Sequence, residues 1–269
     1  MRWMGTFLVI GLSITLSSAA GASPVTLETL LEEMTDLDHL TRFPEPSYVC
    51  RQFSSYDRRS TDPNIPTDDN WFANADAGQF LRTEERNGEV EHVMMDAAGP
   101  GAVVRIWSAN PYDAETIRIY LDGASEPTIE MAFEDLLGGE QEPFIHPIAG
   151  TRSQGWNLYL PLPYAEHCKI TATGGGFYYL INYRTYDSST IVETFSPEGA
   201  ADHAEAIETV AQRLAEPQTF SRPAGARTEY YAESLAPGAV LEETLPGPGA
   251  IYRITMRPQA EDLEEALRK

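Results

Sequence analysis

Hydrophobic residues recur with a helical period in two stretches of the chain. Near the start the apolar positions are Leu27, Leu30, Leu31, Met34, Leu37 and Leu40. This spacing predicts an amphipathic helix that begins after Thr26 and stops before Pro44. Residues 200–215 repeat the pattern, with Ile207, Val210, Ala211 and Leu214 on one stripe. A second helix is therefore expected there, capped near Ser196 and closed by Pro217.

Between these helices the pattern changes to short runs rich in Val, Ile, Tyr and Trp. Strands are predicted over residues 90–95, 102–108, 116–121, 156–162, 168–172 and 177–186, and again over 228–234, 240–245 and 250–256. Asp122-Gly123 and Gly174-Gly175-Gly176 supply turns. Residues 47–80 show no such pattern and predict a long polar loop. Many short strands with few helices predict a mainly β protein, a sandwich of the jelly-roll type.

The first residues have the layout of a secretory signal peptide. Arg2 precedes an apolar run over residues 7–16, and Ala20-Gly21-Ala22 fits the small-x-small cleavage pattern. The run is short for a membrane span, which needs about 20 apolar residues. An uncleaved anchor is the alternative. Cleavage after Ala22 would leave a secreted or periplasmic protein that begins at Ser23, with no membrane association.

A short segment occurs twice. Gly99-Pro100-Gly101 and the residues up to Ile106 are echoed by Gly247-Pro248-Gly249 and the residues up to Ile254. This predicts two related β units, the second of which is only begun before the sequence ends; two unrelated turns are the alternative. The expected organisation is a signal peptide (1–22), a helical segment (23–46), a first jelly roll (47–196), a connecting helix (197–217) and the start of a second jelly roll (218–269). A charged helix is expected within 260–269.

The net charge of the chain restricts the classes of partner that it can bind. The chain has 269 residues, 19 of them basic and 41 acidic, for a formal net charge of −22. Nucleic acid and anionic membranes are therefore excluded as partners, because both are bound by clustered Lys and Arg. Cys50 and Cys168 could pair in an oxidising compartment or remain two separate thiols. No phosphate loop, dinucleotide fingerprint or zinc spacing is present, so neither a cofactor nor a metal is expected.

Several blocks resemble a known family. They are residues 53–58, 68–72, 99–111, 119–123, 158–164 and 179–186, which include Asp57-Arg58, Asn70-Trp71 and Tyr183-Arg184. In order and spacing they are similar to domain-of-unknown-function family 2961, or glycoside hydrolase family 172. The resemblance implies tandem jelly rolls assembled into trimers or hexamers. It also implies retaining cleavage of α-D-fructofuranosides or D-arabinofuranosides by two glutamates of the second jelly roll. This chain, as its N-terminal portion, would lack them.

Within that resemblance, the polar loop carries the candidate substrate-binding residues. They are Tyr56, Asp57, Arg58, Asp69, Asn70, Trp71 and Phe72, and Trp107 at a strand end is added. Carboxylate, amide and guanidinium groups hydrogen-bond sugar hydroxyls, and aromatic rings stack on sugar faces. The alternatives are that Asp57 and Arg58 pair to order the loop, that Trp71 and Phe72 pin it to the core, that Trp107 is core packing, or that Asp57, Asp68 and Asp69 hold calcium.

The role of one acidic stretch and the class of function remain open. Glu126, Glu130, Glu134 and Asp135 form an acidic stretch that could hold a carboxylate pair, but a solvated face is favoured. The alternative to an enzyme is a non-catalytic carbohydrate-binding or oligomer-forming jelly-roll module. The catalytic residues are not predicted.

Overall fold

The structure is a computed structural model that describes residues 23–217, 225–236, 238–251 and 253–268. The described residues form a β-sandwich with short helices. In chain order the strands are β1 (Tyr48–Ser54), β2 (Arg82–Arg86), β3 (Glu89–Ala98), β4 (Gly101–Ser108), β5 (Thr116–Leu121), β6 (Ile129–Ala132), β7 (Glu140–Gln141), β8 (Phe144–Ile145), β9 (Ala149–Arg152), β10 (Gly155–Leu158), β11 (Leu162–Tyr164), β12 (His167–Ala172) and β13 (Tyr179–Tyr186).

Two antiparallel sheets make up the sandwich. The first sheet has the order β1-β13-β4-β10-β9, with β11 also paired to β4, and the second has the order β2-β3-β12-β5-β6. The opening strand β1 thus pairs with the closing strand β13, while β3 pairs with β12 in the opposite sheet. Such interleaving of early and late strands is the jelly-roll arrangement. The predicted fold class is confirmed.

The core lies between the two sheets and is built from the inward positions of the strands. Ile106, Ile119 and Ile170 are fully buried, and Phe177 and Tyr179 pack with their ring centroids 5.9 Å apart. Full burial of one such aliphatic side chain contributes about 1.5–3 kcal/mol. The β-branched and aromatic residues that predicted strands are therefore the same residues that hold the sheets together.

Helix α1 (Leu27–Glu33) begins as predicted but ends early. The Thr26 hydroxyl accepts a hydrogen bond from the Thr29 backbone N–H, and the Thr29 hydroxyl accepts one from the Thr26 backbone N–H. The helix ends at Met34, and Leu40 is exposed. The predicted extension towards Pro44 is wrong because Asp36 accepts the Asp38 backbone N–H, an aspartate turn that competes with the helical pattern.

The remaining helices are short. They are α2 (Phe133–Gly138), α3 (Pro197–Asp202), α4 (Ala204–Ala215) and α5 (Leu263–Leu267), with two 3₁₀ helices at His39–Thr41 and Pro111–Ala114. The predicted connecting helix exists as α3 and α4, with a break at His203. Ser196 caps α3 as predicted, by accepting a hydrogen bond from the Gly199 N–H. Helix α4 buries Ile207, Val210 and Ala211, which confirms the predicted stripe.

Several strand predictions need correction. Residues 48–54, predicted as loop, form β1; most of its side chains are exposed at a sheet edge, so the strand shows no apolar alternation. The predicted strand over 156–162 is divided into β10 and β11. Strands β2, β6, β7, β8 and β9 were not predicted, because they are short or polar.

The strands predicted over 228–234, 240–245 and 250–256 are absent from the described residues there, which are exposed. A strand needs a neighbour to satisfy its backbone hydrogen bonds, and none pairs with these segments in the described chain. The predicted signal peptide, residues 1–22, lies outside the described residues. The cysteines are both free: Cys50 is exposed on β1, and Cys168 is buried on β12 of the other sheet.

Candidate functional site

The predicted polar loop begins where β1 ends and crosses one end of the sandwich. It is fastened at both ends to β13 and the residues just before it: the Ser55 N–H donates to the Tyr179 carbonyl, and the Gly78 N–H donates to the Phe177 carbonyl. The loop spans residues 55–80 and leads into β2. A long polar segment is therefore held against a rigid sheet, where binding groups are commonly presented.

Asp57 is the anchor of this loop. Its side chain is buried, and its carboxylate accepts hydrogen bonds from the Arg59 side chain, with Nη2 to Oδ2 at 2.6 Å. The backbone N–H groups of Arg59 and Ala75 also donate to it, at 3.0 and 2.9 Å. The hydrogen bonds from Arg59, followed by the one from Ala75, hold the pKa of the Asp57 carboxyl well below its usual range.

The alternative in which Asp57 orders the loop by pairing with Arg58 is wrong in its partner, which is Arg59. Arg58 instead donates to the carbonyl oxygens of Tyr56 and Ser54, and its guanidinium lies 4.0 Å from the centre of the Tyr56 ring. Asp57 is thus a structural anchor, whereas Tyr56, which is half exposed, is open to a ligand.

The second part of the predicted site is a tight turn that displays two aromatic side chains. Asn70 Oδ1 accepts the Asp62 N–H and Asn70 Nδ2 donates to Thr61, so this amide orders the turn. Trp71 is 43 % exposed and Phe72 is 59 % exposed, and neither pins the loop to the core. The Asp69 side chain is almost fully exposed and lies 3.9 Å from Arg59.

Trp107 lies on β4, on the outer face of the first sheet. It is opposite Leu180 of β13, which in turn is opposite Ser54 at the end of β1. Adjacent strands are separated by about 4.8 Å, so Trp107 and the start of the loop are at the same end of the sheet. The indole Nε1 lies over Gly155, where an added Cβ would be only 2.3 Å away. Trp107 is partly exposed and is not core packing.

The structure adds polar neighbours that the sequence did not reveal. Arg105, Asn157 and Tyr159 lie beside Trp107 and are joined by hydrogen bonds through Asn157 Oδ1. Gln52 and Asn182 are hydrogen-bonded to each other on the same face. These neighbours could have been predicted from the alternation of side chains along each strand, since positions two apart share a face. They were missed because β1 was not recognised and β10 was predicted too long.

A different group of carboxylates surrounds Arg118 on the outer face of the second sheet. Its guanidinium donates to Glu89, Glu91 and Glu130 at 2.7, 2.9 and 2.8 Å. Burial acts to lower the pKa of Arg118, but Glu130 and Glu89 outweigh it and the pKa is raised. Glu91 is buried and also accepts from Tyr120 and Thr171. All three carboxylates are bonded to the same guanidinium, and Glu91 is enclosed with both of its oxygens bonded, which suits a structural role.

The acidic stretch of the sequence is correspondingly divided. Glu130 belongs to the Arg118 group, Glu126 pairs with Arg86, and Glu134 and Asp135 are exposed in the first turn of α2. The structure does not bring them together as a pair. Among the described residues, no group of three His, Cys, Asp or Glu side chains could hold a metal ion. In the Asp57 loop, Arg59 takes the place that a cation would need.

A cleft lies at the other end of the first sheet. It has a volume of about 330 Å³ and is lined by Ser23, Glu45, Pro46, Ser47, Asp187, Ser189, Thr190 and Ile191. These residues flank the start of β1 and the end of β13, far from the polar loop in strand order. None of the predicted site residues lines it. Across the described ranges, no helix has the length and apolar character to cross a membrane.

A comparison with protein families gives a match. A family model described as the GH172 first beta-sandwich domain matches residues 46–203. The match starts just before β1, ends at the junction of α3 and α4, and includes all thirteen strands. It covers more than half of the chain. A search of curated proteins finds none that matches.

Proposed function

This chain belongs to glycoside hydrolase family 172, and on that premise we propose that it is the sugar-binding first sandwich of an exported furanoside-cleaving enzyme. The substrates are α-D-fructofuranosides or D-arabinofuranosides, cleaved with retention of configuration. The observation that carries the proposal is the anchored loop. Asp57 fixes the backbone, while Tyr56, Trp71 and Phe72 remain exposed around it. Exposed aromatic rings on an ordered loop favour stacking on a sugar ring, which has one apolar face.

The polar groups of the loop suit the other side of a sugar. Arg58 keeps a planar guanidinium in position by stacking on Tyr56, and Asp69 extends into solvent. The N–H groups of Arg58 that are not bonded to the Tyr56 and Ser54 carbonyl oxygens can donate to a sugar hydroxyl, and the exposed Asp69 carboxylate can accept from one. The loop therefore orients a substrate without supplying the chemistry.

The reaction itself needs two carboxyl groups about 5–5.5 Å apart, one as nucleophile and one as acid and base. In the Arg118 group the carboxylates are tied to a buried guanidinium, which suits a structural role. We place the catalytic pair outside this sandwich, on a second jelly roll of the complete enzyme. Assembly into a trimer or hexamer is part of the proposal. It is supported by exposed apolar side chains in the C-terminal region, such as Val240, Ile254 and Met256.

The test compares two variants of the complete enzyme on aryl furanosides and difructose dianhydrides. We expect Trp71→Ala to lower kcat/KM about tenfold, since an aromatic contact contributes about 0.5–1.5 kcal/mol and tenfold corresponds to about 1.4 kcal/mol. The unfolding midpoint should not change, because Trp71 is largely exposed. The control is Phe43→Ala, which removes an exposed aromatic residue ahead of β1, away from the loop.

Equal losses in both variants, or a parallel fall in activity and stability, would contradict sugar binding by the loop. The alternative function is a non-catalytic carbohydrate-binding module, favoured by the same loop. It would be identified by a complete enzyme that binds furanosides, loses affinity on Trp71→Ala, and shows no turnover.

A further inference from the structure

The outer face of the first sheet is divided into a covered half and an open half. Helix α1 covers one half, where Val25 and Leu30 pack against Ala102 of β4 and Val192. The open half carries Gln52, Arg105, Trp107, Asn157, Tyr159 and Asn182, which we call the platform, and the half-buried Leu180 lies on the same face beside Trp107. No described helix covers it.

Strand register places the platform residues on one face. Gln52 of β1 is opposite Asn182 of β13, and Asn182 is opposite Arg105 of β4. Asn157 of β10 is opposite Trp107, so Tyr159, two positions on, reaches the row of Arg105. From Gln52 to Tyr159 the row crosses four strands, a width of about 14 Å at about 4.8 Å per strand. The platform is wider than a single sugar ring.

Its side chains are held in place before any ligand arrives. Arg105 donates from Nε and Nη2 to Asn157 Oδ1 at 3.3 and 3.0 Å, and the Tyr159 hydroxyl donates to the same oxygen at 3.2 Å. Asn157 is buried and its Nδ2 donates to the Gly155 carbonyl. Asn182 Nδ2 donates to Gln52 Oε1 at 3.0 Å. Such order lowers the entropy cost of binding.

The platform side chains are polar but form no ion pair with the described residues. Arg105 lies 5.8 Å from the centre of the Tyr159 ring and makes no ion pair with any described residue, unlike Arg118 on the opposite sheet. A stable protein interface would have an extended apolar centre, whereas on this surface the half-buried Leu180 is surrounded by amides, a guanidinium and aromatic rings. That combination matches the hydroxyl groups and C–H faces of a saccharide. The net charge of −22 favours a neutral one.

We propose that the platform binds further sugar units of a neutral oligosaccharide whose furanoside is held near the polar loop. Ser54 precedes the loop, and only Leu180 separates it from Trp107 across the sheet. One saccharide chain can therefore contact both surfaces. The inference rests on the proposed function and deepens it: the substrate is an oligosaccharide or polysaccharide, and Arg105 and Tyr159 determine its preference for length.

The experiment measures direct binding and turnover separately. Fructofuranosyl and arabinofuranosyl oligosaccharides of increasing length are titrated into the full chain, with Arg105→Gln and Tyr159→Ala as test variants. Matched controls are Arg51→Gln, on the opposite face of β1, and Phe43→Ala. We expect each test variant to weaken binding of the longer saccharides about tenfold, because Arg105→Gln removes a charged hydrogen-bond donor and Tyr159→Ala removes an aromatic face. The controls should bind as the wild type does.

In the complete enzyme, kcat/KM for the longer saccharides should fall by a similar factor in Arg105→Gln, while an aryl monofuranoside is turned over normally. Equal losses on short and long substrates, equal binding by test and control variants, or no saccharide binding by the wild type would overturn the platform. Self-association abolished by Arg105→Gln would also overturn it and identify a protein interface. Saccharide binding that depends on Arg105, without turnover of any furanoside, would refute the proposed function alone.

Discussion

At the scale of single residues, Asp57 shows how one carboxylate orders a long polar segment. It accepts hydrogen bonds from backbone groups on both sides of the loop, at Arg59 and Ala75. Its neighbour Arg58 has the more exposed polar side chain, yet Asp57 was predicted to touch the ligand as well. A buried, fully bonded carboxylate is better suited to positioning Tyr56 and Trp71 than to contacting a sugar.

A pH titration tests this role. The pKa of Asp57 is lowered in the folded chain, so its stabilisation is complete above the unfolded value of about 3.9 and is lost as the pH falls through that value towards the folded pKa. We expect tryptophan fluorescence to report loosening of the loop below about pH 4. Asp57→Asn should loosen the loop already at neutral pH and flatten this response. Asp69→Asn, at an exposed carboxylate, is the control; a wild-type response in Asp57→Asn would refute the anchor.

At the scale of elements, the two Gly-Pro-Gly segments differ sharply in their surroundings. A Cβ on Gly101 would lie 2.4 Å from the Tyr164 ring and 2.8 Å from the Arg184 carbonyl oxygen. On Gly247 it would meet nothing within 4 Å. The first segment starts β4 inside the sandwich, whereas the second starts no strand among the described residues. The two segments are therefore similar in sequence but not in packing.

The matched pair Gly101→Ala and Gly247→Ala measures that difference. Gly101→Ala should destabilise the chain by about 1–3 kcal/mol, the usual cost of overpacking. Gly247→Ala should stay within about 0.5 kcal/mol of the wild type, as exposed substitutions do. Denaturant unfolding followed by circular dichroism gives both values. Comparable destabilisation by the two variants would show that residues around Gly247 are packed in solution.

The elements also show what the sequence could and could not predict. Strands such as β5 and β12 were found because buried Ile and Thr residues give a strong local signal. Strand β1 was missed because pairing with β13, rather than its own side chains, makes it a strand. For the same reason the predicted loop wrongly includes the residues of β1, and the ion pair inside the loop forms with Arg59 instead of Arg58. The choice of Arg59 over Arg58 depends on backbone direction, which spacing does not encode.

At the scale of the whole molecule, the proposed export is compatible with the contacts of Val25. Val25 is buried and bridges to the segment around Val192: its N–H donates to the Ile191 carbonyl, and its carbonyl accepts the Glu193 N–H. A mature chain that starts at Ser23 keeps these contacts. N-terminal sequencing of exported protein should therefore give Ser-Pro-Val, and Ala22→Phe should block cleavage by removing a small residue from the cleavage pattern. Exported protein that retains Met1 would contradict the prediction.

The buried position of Arg118 has a consequence for behaviour in saline. Most acidic side chains repel one another across the surface, and dissolved ions weaken that repulsion over about 10 Å at 0.1 M. The pair of Arg118 with Glu91 is enclosed, so the same ions barely reach it. Added salt therefore weakens the repulsion between surface carboxylates and leaves the Arg118–Glu91 ion pair nearly unchanged. We therefore expect the free energy of unfolding to rise with salt concentration and to be lowest at low ionic strength.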